Sequence, residues 1–374
     1  MQLHGKNYSV SALRKRVGNM DQLGGIQLVT LDDGNERPVR AAIIRTGGGL
    51  EVTVLPDRGM DIASAYHNGR AMGWRSTTGS VAPQYYEAEG FRWLRSYFGG
   101  LMTTCGLTRV GGPGPDSAFQ GQGLHGRISN TPARNLQVSQ AWEGNDYVMR
   151  ITGTMRETSV FGENLTLTRT VSAILGASSF QIHDVVANEG FKQTGLMLLY
   201  HCNIGWPAVD AGSRIIAPSA LVAARDAEAR DGLERWHLMD APTHNYREKC
   251  YYHDMRADRR GRVTVAMVND GFPQNGFGVY VSYFKKELPR FVQWKQMGEQ
   301  DYVCGFEPTI CTVEGREREE ELGLLNQLKA GERREFHLEF GAITEAETVK
   351  TLERNAGAVK TAYVDGFEAF EKAR

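Results

Sequence analysis

Four side chains in this sequence have types and settings suited to proton transfer or metal ligation: His125, His201, His253 and Glu307. His125 stands in "GLHGR", between glycines, where backbone can come close to a ligand. His201 stands in "LMLLYHCNIGWP", where an apolar run ends in His201, Cys202 and Asn203 before Gly205 and Pro207 break it. His253 sits beside Asp254 in "YYHD", and Glu307 is a carboxylate inside the otherwise apolar "CGFEPTIC". Glutamate is seldom buried without a partner, so one held there is a candidate base with a shifted pKa. A histidine titrates near neutrality and suits an acid or base role. Each also has a plainer reading, as a satisfied structural histidine or as a strand-end glutamate paired with an arginine. Together they could ligate a metal, although the long-range spacing matches no metal motif.

Other chemistries lack their motifs. There is no GxSxG elbow, no GxxxxGK(S/T) loop and no HExxH. "GGGLEV" and "GGPGPD" lack dinucleotide-binding spacing and open no helix. Cys105, Cys202, Cys250, Cys304 and Cys311 are scattered without CxxC spacing and read as free thiols in a reducing compartment. The net charge of -1 comes from intermixed acids and bases, which favours neither a nucleic-acid nor an anionic-membrane partner. No apolar run approaches the roughly 20 residues of a membrane span, and "MQLHGKNYSVSALRKR" lacks the apolar core of a signal peptide. A cytoplasmic location is expected.

The elements that would position these residues read as strands. The 374 residues suffice for a large core, and 43 glycines, above the usual ~7%, imply many tight turns. "AAIIR", "LEVTVL" and "DRGMDIASAY" form a meander. "NLQVSQAW", "YVMRITGTMRET", "NLTLTRTVSAI", "SFQIHDVVAN" and "TGLMLLYHCN" follow, separated by turn residues. In the third of these, Leu165, Leu167, Arg169 and Val171 alternate with threonines, the period of a sheet with unlike faces. Later strands are expected at "RVTVAMVN", "GVYVSYF", "RFVQWKQM", "TICTVE" and "EFHLEFGAI". Helix is expected in a lead-in over about 1–38, in a C-terminal tail over about 344–374 begun by a Thr344/Glu347 capping box, and in the aromatic segment 85–98, a helix or lid over the sheet. With no linker or repeat, the chain reads as one antiparallel β-sandwich domain spanning 1–374.

The "LHG" turn, the strand-end histidine in "YHCN" and the late glutamate resemble, in that order, the galactose mutarotase-like (aldose 1-epimerase) superfamily. "VLPDRGMDI", "GGLMTTCGL", "LHGRISNTPA" and "GFEPT" look more closely like an aldose 1-epimerase-like branch described as a domain of unknown function. The resemblance implies a β-supersandwich with a sugar-binding cleft on one concave sheet face. It implies His201 as general acid, Glu307 as general base and His125 as a supporting catalytic histidine. The family's T-N-H-x-Y-F-N strand end is not intact here: Tyr200 precedes His201 and no aromatic pair follows it. Arg58 in "PDRGMD" is the best arginine for sugar hydroxyls, and Asn203, His253, Trp294 and Lys295 are further substrate-binding candidates. Arg58, Arg109, Arg127 or Lys295 could serve an acidic group on the sugar.

The expected activity is anomer interconversion of a free sugar or sugar derivative. A base takes the anomeric hydroxyl proton while an acid protonates the ring oxygen, with no cofactor and no metal. A metal-assisted sugar epimerase, isomerase or lyase on the same scaffold is the alternative, with His125, His201, His253 and Glu307 as ligands. A non-catalytic carbohydrate-binding protein is the third reading. The expected partner is a small sugar; strand edges leave a homodimer open.

Overall fold

A computed structural model describes residues 1–114, 123–273 and 276–374. Strands account for 46% of it and helices for 15%, in large antiparallel sheets, as the period-two pattern predicts. The first large sheet, which carries the site, runs in the order 103–107, 194–205, 302–309, 290–297, 249–255, 219–224 and 362–365. The second runs 134–143, 146–158, 164–174, 179–188, 333–343, 277–284, 262–269 and 214–216. A smaller sheet, 25–30, 40–45, 50–55, 61–67 and 70–71, holds the early meander. Among the described residues no helix is long and apolar enough to cross a membrane.

The alternation on Asn164–Ile174 explains the core. Leu165, Leu167, Arg169 and Val171 are fully buried, while Thr168 and Thr170 turn the other way and pair with Thr154 and Thr152 at 2.9 and 2.8 Å. Arg169 can stay inside because Asp61 and Asp184 meet it at 2.9 and 2.6 Å, and Tyr200 gives its hydroxyl proton to Asp184 at 2.7 Å. Asp61 also accepts from the Thr104 amide at 3.1 Å and hydroxyl at 2.6 Å. This network clamps the strand pair 103–107 and 194–205 from behind, one residue from His201. Thr194–Gly205 is buried along almost its whole length, because both of its faces are covered.

Four expectations shift. The lead-in holds a helix at Val10–Arg14 and 3-10 turns at Met20–Gln22 and Gly34–Glu36, while Gln2–Leu3 and Lys6–Asn7 pair as short strands and Gly25–Thr30 is already a strand. The aromatic segment forms 3-10 turns at Pro83–Tyr85 and Arg92–Ser96 rather than an α-helix. "TICTVE" is not a strand: Tyr302–Thr309 is, and there Thr309 Oγ1 takes the Cys311 amide at 3.0 Å, turning the chain aside. The C-terminal helix Ala346–Gly357 starts after Glu345 without a side-chain cap, so the Thr344 box does not form; beyond it Ala362–Asp365 adds a parallel edge strand before the helix Gly366–Ala373.

Candidate active site

Adjacent strands of the first sheet bring the distant residues together. Thr194–Gly205 pairs with Tyr302–Thr309 in a register that sets Asn203 opposite Gly305, and Tyr302–Thr309 pairs with Arg290–Met297, setting Trp294 opposite Gly305 and Val292 opposite Glu307. Alternation therefore places His201, Glu307, Val292 and Trp294 on one face. His201 Nε2 stands 3.2 Å from Glu307 Oε1, with both side chains nearly buried. Gly305 makes room for this contact: a Cβ there would stand 2.9 Å from Glu307 Oε1 and 3.3 Å from His201 Cε1.

The pair forms part of the lining of a cavity of about 650 Å³. His125 joins it, its ring centroid 6.0 Å from that of His201. His125 adopts φ +58°, a left-handed conformation uncommon for a non-glycine residue, with Gly126 following at +72°. A Cβ at Gly126 would fall 2.5 Å from the Gly106 oxygen, so the close turn needs glycine. Aromatic rings complete the walls. Trp93 stacks on Tyr97 at 4.4 Å, Trp294 lies 5.4 Å from His201, and Trp74 bridges towards both sides, 6.1 Å from Tyr97 and 6.3 Å from Trp294. Trp294 donates its indole proton to Glu248 at 2.7 Å, and Arg225 stands 3.9 Å from the same carboxylate.

Hydrogen bonds fix the state of His201. Asn203 spends its amide protons on the Gly99 and His201 carbonyls at 3.2 and 3.0 Å. Its oxygen therefore accepts from the Tyr97 hydroxyl at 2.7 Å. Tyr97 is then left as acceptor for His201 Nδ1–H at 3.3 Å. A neutral His201 thus presents a bare Nε2 to Glu307, and the proton between them belongs to the carboxyl. Electrostatics agree: burial pushes Glu307 up to about 8 and His201 down to about 4. Burial, with His201 as a further cause, holds His125 down near 3. Its Nδ1 accepts the Gly111 amide at 3.3 Å, so Nε2–H is a neutral donor.

Other sequence candidates stand elsewhere. Arg58 does not line the cavity. It is buried and gives its protons to the carbonyls of Ser129, Val81 and Ser96, tying together the segments that carry His125 and Tyr97. His253 pairs with Phe291, so it faces away from Val292 and Trp294; it meets Ser219 Oγ at 2.9 Å and Gln293 at 3.2 Å, and burial lowers it to about 3. A metal set containing His253 with His201 and Glu307 is excluded by that change of face. Lys295, one residue from Trp294, turns to Leu238 O at 2.6 Å and Asp240 at 2.8 Å. Asn203 supports Tyr97 from behind the cavity wall. Arg109 meets Glu317 and the Gly112 carbonyl. Sequence reasoning flagged the segment containing Trp93 and Tyr97 as a lid without naming either, and it missed Trp74, Glu248 and Arg225, each a single residue in a region without period.

The fold has close structural relatives. The structure of a "putative aldose 1-epimerase" from Klebsiella pneumoniae is similar with a TM-score of 0.87 and 26% identity, covering 93% of each chain. A galactose mutarotase-like protein from Clostridium acetobutylicum is similar at a TM-score of 0.60 and 13% identity, over 87% of this chain and 100% of that one. Galactose 1-epimerase from Lactobacillus acidophilus is similar at 0.51 and 14%, over 86% and 99%. The last two likenesses concern the fold alone. No curated protein matches the sequence significantly. The family described as a domain of unknown function, DUF4432, matches residues 36–342. The chain thus belongs to the DUF4432 family, on a galactose mutarotase-like β-sandwich.

Proposed function

We propose that the protein is a sugar isomerase of the aldose 1-epimerase type and that His201 and Glu307 are its acid/base pair. The observation that carries this reading is the 3.2 Å contact between Nε2 and Oε1 at the wall of an aromatic cavity. The likeness to the Klebsiella structure over nearly the whole chain supports it.

Ring opening moves two protons in concert. One group takes the anomeric hydroxyl proton and another gives a proton to the ring oxygen; reclosure after rotation about C1–C2 returns both. The pair therefore needs one proton between its two sites. In the resting site that proton is on Glu307, which makes Glu307 the acid and His201 Nε2 the base. Transfer of the proton across the contact gives the opposite assignment, imidazolium acid and carboxylate base, which the family resemblance implies. Activity requires the singly protonated pair in either case. His125 Nε2–H offers a hydrogen bond to a hydroxyl or developing oxyanion. Trp294, Trp74 and Trp93 supply apolar faces for the C–H face of a pyranose.

Anomer exchange measured by NMR over a panel of aldoses and acidic sugars tests the reading. Wild-type protein accelerates exchange of at least one sugar, and Glu307→Gln and His201→Asn each lose about 10²–10⁴-fold. Wild-type rates in Glu307→Gln would sink the residue assignment. A panel in which no sugar exchanges faster with protein than without it would sink the 1-epimerase reading.

A further inference from the structure

Far from the cleft chemistry, the outer face of the second sheet carries a cluster with no part in proton transfer at the cavity. We propose that His183, His337 and Glu335 form a binding site for a divalent transition metal of the zinc class. One ligating atom from each already lies within 4.8 Å of the others. His183 and His337 sit directly opposite each other on the paired central strands Ser179–Asn188 and Arg333–Ile343, and Glu335 is two residues along, on the same face. The neighbouring Asp184 faces the core, so His183 faces out.

One observation, beside the clustering itself, favours a metal over a simple ion pair. His183 Nε2 stands 3.0 Å from Glu335 Oε2, which an ion pair would also explain. A second imidazole is stacked on the first, with centroids 4.3 Å apart and planes within 9°, so one of these two half-exposed rings swings out of the stack for both in-plane lone pairs to meet one ion. The observation that favours a metal is Glu287. Its carboxylate accepts the His337 amide at 2.9 Å and meets His337 Nδ1 at 3.1 Å, and it is only 12% exposed. A carboxylate held at Nδ1 fixes the proton there and leaves Nε2 bare, the arrangement that orients histidine towards a metal.

The donor set chooses the ion. Two imidazoles and one carboxylate suit zinc, nickel or copper rather than calcium or magnesium, which take oxygen ligands. Three protein ligands leave a tetrahedral position to water. The ion would bridge two central strands and so stabilise the sheet by binding only the folded state.

The test uses the full chain, stripped with a chelator and titrated with Zn²⁺ by calorimetry, with the Co²⁺ visible spectrum as a second readout. The expected result is saturable binding with a raised Tm, not displaced by excess Ca²⁺ or Mg²⁺. His183→Ala and His337→Ala each weaken it at least about tenfold, and Glu287→Gln, which touches no metal, weakens it about 10–100-fold through His337. His201→Asn leaves it unchanged, which separates this site from the cleft. Absence of saturable binding up to about 1 mM Zn²⁺, a Kd regime too weak to matter, overturns the proposal. So does unchanged affinity in a folded His183→Ala/His337→Ala double variant.

Discussion

Tyr97 meets His201 as an acceptor, not a donor. Its hydroxyl proton goes to Asn203 at 2.7 Å, so the oxygen 3.3 Å from His201 Nδ1 has only a lone pair to offer. This sets which imidazole nitrogen is bare at Glu307, and under the proposed function it makes Tyr97 a positioning residue. Tyr97→Phe keeps the ring stack on Trp93 but removes the acceptor. We expect kcat to fall about tenfold, the worth of one hydrogen bond of about 1.4 kcal/mol, with KM little changed. Steady-state anomer exchange checks this; a KM effect with kcat intact would show that Tyr97 acts on the sugar instead.

The pair should give a bell-shaped pH profile. Below about 4 His201 gains a second proton for the pair, and above about 8 Glu307 loses the only one. We expect kcat/KM to rise through the first value and fall through the second. A descending limb that persists unchanged in a residually active Glu307→Gln variant would assign it to another group.

The same shifts act on stability. The Glu307 pKa is raised on folding, so its contribution is fully present below the ordinary glutamate value near 4.5 and is lost as pH rises through about 8. His201 is lowered, so its contribution is present above about 6.5 and is lost as pH falls through about 4. Glu307→Gln, which carries no charge to bury, should therefore gain Tm relative to wild type at pH 8–9 and not at pH 4. Thermal melts at both pH values check the sign.

Gly305 tests the crowding beneath the contact. Gly305→Ala would push a methyl to within 2.9 Å of Glu307 Oε1, and the strand is held by neighbours on both sides. The carboxyl has to move by several tenths of an ångström. We expect a loss of about 10²-fold in kcat, as for other small misplacements of reacting groups, in a protein that still folds. Far-UV spectra with anomer exchange distinguish this from unfolding.

Asp184 tests the clamp behind the site. It is fully buried, pairs with Arg169 and takes the Tyr200 proton. Asp184→Leu leaves Arg169 with Asp61 and the Gly59 carbonyl, and should cost about 3–5 kcal/mol of stability by denaturant titration. A cost under about 1 kcal/mol would show that Arg169 escapes to water.

Much of this was local and therefore readable in the sequence. The period of two on Leu165–Val171, the apolar run that stops at His201 and the glycine-flanked His125 turn depend on neighbours a few residues away, and backbone sterics act at that range. The all-β class follows from them. The face of each strand did not. Trp294 reaches the cavity and Lys295 does not, while His253 turns from it, because register with the next strand decides the face and a shift of one residue reverses it. Arg58 looked free in its turn, yet its donors are claimed by carbonyls 23, 38 and 71 residues away. Tyr97 and Asn203, which set the proton on His201, come from segments 106 residues apart and share no motif. Sequence alone determined which residue types could move a proton. Only the packing of distant segments decided which of them meet, and in a buried site that meeting also decides which of them holds the proton.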